Sequence, residues 1–212
     1  MIIVMTGPQG SGKGVQAKKL EEEFGYKHVS TGDLLREEVK AGTPEGKEAD
    51  GYMKRGEFVP FELNNKILKK GLEKNKGKTI LLDGYPRYVA QAEFLLKVGE
   101  VKGMVLLKVK DEVSIRRMAD RRICTATNRT YIANQVTNKD IEECKKAGGE
   151  IIQRPDDQPA AIAKRLSDYH NETEPVVEFF KKKKIPVIEI NGERSIEDVY
   201  KDIKKEIKKI LN

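Results

Sequence analysis

The chain has 212 residues, of which 38% are hydrophobic and 35% are charged, and its formal net charge is +7. This length and composition are typical of a single globular domain and argue against a disordered chain. Because no apolar run approaches the ~20 residues of a membrane span and two cysteines are too few for a disulfide scaffold, we expect a cytoplasmic protein with no membrane partner.

The chain begins with a short apolar run, residues 1–6, which predicts a buried strand rather than a signal peptide. A glycine-rich segment with Lys13 follows at residues 7–15, and a helical pattern comes next. A strand, a loop of this type and a helix start form a phosphate-binding loop, in which backbone N–H groups and a lysine face an anion. The usual Ser or Thr after the lysine is Gly14 here, so that position has no hydroxyl to offer a metal ion.

Strand-like and helical patterns alternate along the rest of the chain, which predicts an α/β fold with a five-stranded parallel sheet and helices on both faces. The predicted strands are residues 1–6, 27–30, 78–83, 104–109 and 186–190. The predicted helices are residues 13–24, 33–40, 61–75, 88–96, 111–122, 159–182 and 196–211.

Two segments depart from this alternation. Residues 31–72 contain several helices between two strands and are predicted to be a helical insertion. Residues 123–154, here called the lid segment, are polar and turn-rich, with short β-like pieces at 130–132 and 150–153, and they predict a small β-type flap. One domain would then comprise a core of residues 1–30, 73–122 and 155–212 with two insertions.

Six arginines stand beside distinctive motifs in separate parts of the chain. Phosphoryl transfer needs several positive charges to converge on anionic substrates, and a set of this kind is not easily explained as surface charge alone. Nucleic acid is the alternative anionic partner, but 6% aromatic residues and no Trp give no base-stacking platform. The six are Arg36, Arg87, Arg117, Arg121, Arg154 and Arg165.

Taken together, the motifs resemble those of the adenylate kinase family in its long-lid form, over essentially the whole chain. The resemblance rests on the phosphate-binding loop at 7–13, on Ser-Thr-Gly-Asp-Leu-Leu-Arg at 30–36, and on Gly-Glu-Phe-Val-Pro at 56–60. It also rests on Asp-Gly-Tyr-Pro-Arg at 83–87 with Gln91, and on the lid entry at 121–124 and lid exit at 154–157.

The resemblance implies an AMP site, in which Arg36 and Arg87 suit the monophosphate because a guanidinium binds phosphate oxygens bidentately. The Gln91 carboxamide would pair with the adenine edge, and Met53 would be a pocket wall or simply core. The implied AMP-binding residues are Thr31, Arg36, Met53, Glu57, Phe58, Val59, Gly84, Tyr85, Pro86, Arg87, Gln91, Arg154 and Arg165.

The resemblance also implies an ATP site and a set of catalytic residues around the transferred phosphate. Arg117 would either surround the phosphates or lie against the adenine face. The implied ATP-binding residues are Gly10, Ser11, Gly12, Lys13, Gly14, Val15, Arg117, Arg121, Thr130, Tyr131 and Arg194. The implied catalytic residues are Lys13, Arg87, Arg121, Arg154 and Arg165.

Magnesium is the implied cofactor, brought with ATP. Asp33 and Asp83 would hold it through water, and their alternative roles are N-cap and turn carboxylates. We interpret Asp156 and Asp157 as hinge residues or arginine partners, because an attacking phosphate is already an anion and needs no strong base. His28 and His170 have no partner at metal or triad spacing, and we expect both to be structural.

The lid segment departs from the family pattern of four zinc ligands. Cys124 and Cys144 match two of the ligand positions, but Thr127 and Ala147 occupy the other two, so we expect no structural zinc. The resemblance implies that the two sulfurs lie close together. A disulfide, two free thiols and a packed apolar pair all remain open. Val15 and Ile132 also replace a common Thr and a common His.

The function implied by the resemblance is reversible, magnesium-dependent transfer of a phosphoryl group from ATP to AMP, giving two ADP. The alternatives are another nucleoside monophosphate kinase, a GTP:AMP phosphotransferase, or, more remotely, a non-catalytic nucleotide- or RNA-binding protein. We expect ATP, AMP and ADP as partners, no nucleic acid, and a monomer.

Overall fold

The computed structural model describes residues 1–154 and 157–211, and its centre is a five-stranded parallel sheet. The strand order is β2-β3-β1-β4-β8. This arrangement confirms the predicted α/β class and all five predicted strands, although their ends differ by a few residues. The strands are β1 (Ile2–Thr6), β2 (Lys27–Ser30), β3 (Ile80–Asp83), β4 (Val101–Lys108) and β8 (Val187–Asn191).

Helices cover both faces of the sheet, which explains why its strands are nearly continuous apolar runs. Alternate residues of β1 serve the two faces: Ile2 and Val4 belong to one buried cluster, and Ile3 and Met5 to the other. Helices α5 (Val89–Val98) and α9 (Glu174–Lys182) cover one face, and α1 (Lys13–Phe24) and α10 (Ile196–Leu211) cover the other. Helices α6 (Asp111–Ala119) and α8 (Pro159–Asp168) pack against each other in a separate buried cluster.

Three helices are inserted between β2 and β3, namely α2 (Thr31–Lys40), α3 (Pro44–Lys54) and α4 (Phe61–Lys74). They enclose a small core of their own that includes Leu35, Val59 and Ile67. Helix α2 begins at Thr31 rather than at the predicted residue 33, because the Ser30 hydroxyl accepts a hydrogen bond from the Asp33 N–H at 3.3 Å. Ser30, and not Asp33, is therefore the N-cap.

The lid segment contains an antiparallel three-stranded sheet in the order β6-β5-β7, with a helix that the sequence did not predict. The elements are β5 (Arg121–Cys124), β6 (Thr130–Ile132), α7 (Asn138–Lys146) and β7 (Ile151–Ile152). Helix α7 starts with a capping box between Thr137 and Asp140. A disulfide between Cys124 and Cys144 joins β5 to α7.

Two predicted helices have different bounds in the structure. The helix predicted over 111–122 ends at Ala119, because Arg121 starts a strand that pairs with β6 and β7. The helix predicted over 159–182 is interrupted by a π-helical turn, Tyr169–Thr173, immediately before Pro175 in the first turn of α9. Since proline lacks an N–H and cannot continue an α-helical ladder, the wider turn accommodates it.

Within the described residues, no helix is both long and apolar enough to span a membrane.

Candidate active site

The phosphate-binding loop lies between the C-terminus of β1 and the N-terminus of α1. The Lys13 ammonium group donates hydrogen bonds to the carbonyls of Gly7 at 2.8 Å and Pro8 at 2.9 Å. Gly7 has a φ of 138°, and a Cβ added there would lie 2.4 Å from the Leu107 carbonyl oxygen. The loop can therefore close against β4 only with glycine at this position.

Positive charges converge on Lys13. The pKa of Lys13 is lowered to about 8, mainly by burial; the nearby Asp83 carboxylate opposes this shift, and the charges of Arg87, Arg165 and Arg121 contribute to it. These three arginines come from sequence positions far apart, yet all of them act on the same ammonium group. The site is a positively charged pocket of the kind that binds several phosphates.

The turn after β3 faces the start of α2. The Thr31 hydroxyl donates a hydrogen bond to the Gly84 carbonyl at 2.9 Å, and the same carbonyl accepts one from Arg87 Nε at 2.9 Å. A Cβ on Gly84, whose φ is 77°, would lie 3.0 Å from the Thr31 hydroxyl oxygen. Glycine at position 84 thus allows the two motifs to approach each other. Its carbonyl, which accepts hydrogen bonds from both side chains, holds Arg87 beside Thr31.

The inserted helices bring further predicted AMP-site residues to this region. Arg36 Nη2 lies 2.5 Å from Asp33 Oδ1, and the Phe58 ring lies 5.8 Å from both the Tyr88 ring and the Arg87 guanidinium carbon. Glu57 pairs with Arg55 at 2.8 Å, and this partner lowers the pKa of Glu57. Val59 is buried, whereas Met53 is half-buried against the inserted core.

Gln91 is a buried residue on the first turn of α5. Its Oε1 accepts a hydrogen bond from the Arg87 backbone N–H at 2.8 Å. No described residue accepts a hydrogen bond of normal geometry from its Nε2. Gln91 does lie close to Tyr88, and it opposes the rise in the pKa of Tyr88 that burial causes. Pro86 is buried, and the buried Tyr85 hydroxyl donates to Asn65 Oδ1 at 2.6 Å.

A carboxylate at the base of the lid segment holds two of the predicted catalytic arginines. Arg121 donates two hydrogen bonds to Asp157, from Nε at 2.8 Å and from Nη2 at 2.5 Å. Arg165 Nη1 lies 3.5 Å from the same carboxylate, which is fully buried. These contacts confirm Asp157 as an arginine partner, while Asp156 lies outside the described residues. Arg154, at the lid exit, is half-buried.

The remaining predicted ATP-site residues lie on α6, on the loop after β8 and on β6. Arg117 donates to the Gly192 carbonyl at 2.9 Å and so connects α6 with the loop after β8, where Arg194 forms an exposed ion pair with Asp202. Thr130 is exposed on β6, and the Tyr131 ring lies 5.2 Å from the guanidinium carbon of Arg129. Gly10, Ser11, Gly12, Gly14 and Val15 belong to the phosphate-binding loop and the first turn of α1.

Two carboxylates lie beside the phosphate-binding loop at the C-terminal ends of β2 and β3. Asp83 Oδ2 is 3.4 Å from His28 Nε2, and a Cβ on Gly14 would meet Asp83 Oδ2 at 3.7 Å. Burial lowers the pKa of His28, but the hydrogen bond and charge of Asp83 together with the charge of Asp33 outweigh burial, so the net pKa is raised. Asp33 and Asp83 are therefore both close to His28. In the described part of the chain, no three or more His, Cys, Asp or Glu residues are grouped as metal ligands.

Comparison with known proteins places this arrangement in a family. The family model described as adenylate kinase matches residues 5–185. The chain belongs to the adenylate kinase family. An adenylate kinase of Caldanaerobacter subterraneus subsp. tengcongensis is 41% identical over 97% of this chain and 95% of its own length. An adenylate kinase of Methanocella arvoryzae is 42% identical over 99% of this chain and 100% of its own length. One of Archaeoglobus fulgidus is 37% identical over 99% of both chains.

Several residues that shape the site of this adenylate kinase family member escaped the sequence analysis. The Thr173 hydroxyl donates to the Arg87 carbonyl at 2.8 Å, and Asn65 anchors Tyr85. These contacts span 86 and 20 residues. Neither residue belongs to a motif, so no local signal in the sequence could have identified them. In the sequence, the sign of the π-helical turn that carries Thr173 is a proline within a long helical pattern.

Proposed function

We propose that this enzyme transfers a phosphoryl group reversibly from magnesium-bound ATP to AMP, giving two molecules of ADP. The observation that carries the proposal is the convergence of Arg87, Arg121 and Arg165 on Lys13, whose ammonium group is held within the phosphate-binding loop by the Gly7 and Pro8 carbonyls. Two nucleotides that meet through their phosphates bring many negative charges to one place. A cluster of four cations from separate segments suits that arrangement.

The donor would occupy the phosphate-binding loop. Its backbone N–H groups and the N-terminus of α1 would hold the β- and γ-phosphates, since both present positive dipoles to an anion. Lys13 already lies within the loop, 3.3 Å from the Ser11 hydroxyl. The base would lie toward Arg117 and Arg194, with Thr130 and Tyr131 of the lid segment covering it.

The acceptor would occupy the cleft between the Gly84–Arg87 turn and the inserted helices. Arg36 and Arg87 would bind its monophosphate, and Arg154 and Arg165 would approach the transferred group from the other side. Thr31, Glu57, Phe58, Val59 and Gln91 would surround the nucleoside, with Met53 as a wall and Tyr85 and Pro86 shaping the turn. The acceptor phosphate is already an anion, so the transfer requires positioning and charge neutralisation rather than a general base.

Magnesium would be held through water by Asp33 and Asp83. The donor set fits this ion, because two carboxylates beside the phosphate-binding loop leave most of a magnesium hydration shell in place. When bound, the ion would neutralise part of the phosphate charge.

The three parts of the chain would have separate tasks. The core of residues 1–30, 73–122 and 155–212 would hold the donor phosphates, the insertion of residues 31–72 would bind AMP, and the lid segment would cover ATP. Closure of the lid segment would exclude water, which would otherwise hydrolyse ATP.

A coupled assay of ADP formation tests this function. The purified enzyme is given ATP or GTP as donor and AMP, CMP, UMP or GMP as acceptor, and ATP with AMP is expected to be the preferred pair. Lys13→Ala should abolish turnover, whereas Lys18→Ala, an exposed lysine of the same helix, should leave it unchanged. An enzyme that makes no ADP from ATP and AMP would contradict the proposal. A preference for GTP or for another monophosphate would favour a GTP:AMP phosphotransferase or another nucleoside monophosphate kinase.

A further inference from the structure

Helix α4 has two adjacent buried asparagines whose side chains differ in bonding. Each is 6% exposed. Asn65 Oδ1 accepts a hydrogen bond from the Tyr85 hydroxyl at 2.6 Å, so this side chain has a structural partner. Asn64 Oδ1 is buried and, within the part of the chain that the structure describes, has no hydrogen-bond partner. Because buried polar atoms in proteins are nearly always hydrogen-bonded, the Asn64 amide oxygen points to a partner outside the chain.

Asn64 lies next to the proposed acceptor site. It is one helical turn beyond Pro60, whose carbonyl accepts a hydrogen bond from its backbone N–H at 2.9 Å, so it lies in the first turn after the Gly56–Pro60 motif. Phe61, one turn before Asn64, has its ring 6.4 Å from the Tyr88 ring and 6.0 Å from the Phe94 ring. Tyr88 and Phe94 flank Gln91 on α5, so the α4 and α5 segments that carry Asn64 and Gln91 meet at this level.

The two buried amides leave a complementary pair of unbonded atoms. Gln91 Oε1 is used by the Arg87 backbone N–H, and Gln91 Nε2, which lies near Tyr88, has no hydrogen-bond partner of normal geometry among the described residues. Asn64 Oδ1 remains as an acceptor. Adenine offers an amine donor at position 6 and an acceptor nitrogen at position 1, which matches this pair. A 6-oxopurine such as guanine or hypoxanthine offers the reverse polarity, with a carbonyl at position 6 and an N–H at position 1.

We infer that Asn64 determines the base specificity of the acceptor site, with its Oδ1 accepting a hydrogen bond from the 6-amino group of adenine. Gln91 Nε2 then donates to the ring nitrogen beside it. A 6-oxopurine placed there would leave its own carbonyl facing Asn64 Oδ1, and two buried acceptors would remain unpaired. This inference rests on the proposed function and adds a residue to its acceptor site.

The test compares two acceptors that differ only in the 6-amino group. Dissociation constants of AMP and of purine riboside 5′-monophosphate are measured by calorimetry for the wild-type enzyme and for Asn64→Val. The wild-type enzyme is expected to prefer AMP by about tenfold, the effect of one well-formed hydrogen bond in a buried site. In Asn64→Val the preference should fall to within about twofold, mainly because AMP binds more weakly, while the KM for ATP stays unchanged.

Asn75→Ala is the control, because it removes an amide at the end of the same helix whose Nδ2 already donates to the Gly71 carbonyl at 2.8 Å. It should lower the melting temperature but keep the preference for AMP. Retention of the preference in Asn64→Val, or equal weakening of both ligands, would overturn the inference in favour of a structural role. Equal binding of both ligands by the wild-type enzyme would overturn it even if Asn64→Val did not fold. Failure of the proposed function is a different result, namely no ADP from ATP and AMP in the wild-type enzyme.

Discussion

Arg121 and Asp157 form a two-point hydrogen-bonded ion pair at the base of the lid segment, 36 residues apart in sequence. The carboxylate is fully buried, and the Arg121 side chain is 16% exposed. Such a pair fixes the plane of the guanidinium, so Arg121 is held in place before any substrate arrives. Asp157 acts here as a positioning residue, since it binds the arginine rather than the nucleotide.

We expect Arg121→Ala and Arg87→Ala each to reduce kcat/KM by roughly two to four orders of magnitude. Both guanidiniums act on the same phosphate site as Lys13, and neutralising the transferred charge is most of the catalytic task. Steady-state kinetics with ATP and AMP measure the loss. Arg122→Ala is the control, because Arg122 is the next residue of β5 and donates hydrogen bonds to the carbonyls of Ala119 and Arg121. Near-normal turnover in Arg121→Ala would contradict the catalytic role given to this residue.

Val15→Thr should tighten ATP binding by about 1 kcal/mol, equivalent to a dissociation constant about fivefold lower. Val15 is 37% exposed beside the phosphate-binding loop, so a hydroxyl there can reach a phosphate without leaving an apolar contact unfilled. Calorimetric titration with ATP measures the change. Val98→Thr, a substitution at an equally exposed valine of α5, should have no effect. Weaker ATP binding in Val15→Thr would show that the valine packs against a neighbour in the bound state.

The lid disulfide should be present in protein purified without reductant. Thiol titration under denaturing conditions is expected to find no free thiol before reduction and two after it, and elemental analysis should find no zinc. The bridge closes a loop with a sequence separation of 20, so reduction should lower the free energy of unfolding of the lid segment by about 3 kcal/mol. The double variant Cys124→Ser with Cys144→Ser should not respond to reductant. One tightly held zinc per chain would contradict this prediction.

His170 should contribute to stability in a pH-dependent way. Partial burial lowers its pKa, but hydrogen bonds to Asp111 and Glu174, both at 3.0 Å, outweigh burial, and the pKa is raised. A raised histidine pKa stabilises the folded state fully below the unfolded value of about 6.5, and the stabilisation is lost as pH rises through the folded pKa. Because the ring is 42% exposed, the effect should be at most about 1 kcal/mol.

Urea unfolding of the wild type and of His170→Gln at several pH values checks this expectation. The difference in unfolding free energy should be largest at pH 5–6 and should shrink above about pH 6.5. Asn171→Ala, in the same π-helical turn, should show no such trend. A difference that stays constant with pH would mean that His170 acts only by packing.

Local sequence signals predicted the elements around the phosphate-binding loop well. Strand β2 and helices α1 and α10 have the predicted bounds, because β-branched runs, glycines and a sharp change of periodicity mark them. The sequence predicts a helix up to residue 122, where the structure has strand β5, because Arg121 and Arg122 continue a helical pattern. The segments that pair with β5 lie at 130–132 and 151–152. Pairing between distant segments overrode a local preference there.

The sequence predicts those residues of the candidate site that belong to recognisable motifs. The four cations that converge on the phosphate site all stand in or beside recognisable motifs. The groups that orient them do not, because Asp157 with Arg165, Thr173 with Arg87 and Asn65 with Tyr85 are brought together only by the fold. The inference about Asn64 likewise depends on burial and on an unbonded atom, neither of which a sequence displays.

Asp157 also has a consequence for how the enzyme would treat its substrates. One buried carboxylate already pairs with Arg121 and Arg165, the two arginines proposed to bind the transferred phosphate. A phosphate arriving there would add its charge beside a carboxylate that stays with the arginines. Binding would therefore depend on Lys13 and Arg87 as well, because Asp157 already offsets part of the positive charge of Arg121 and Arg165.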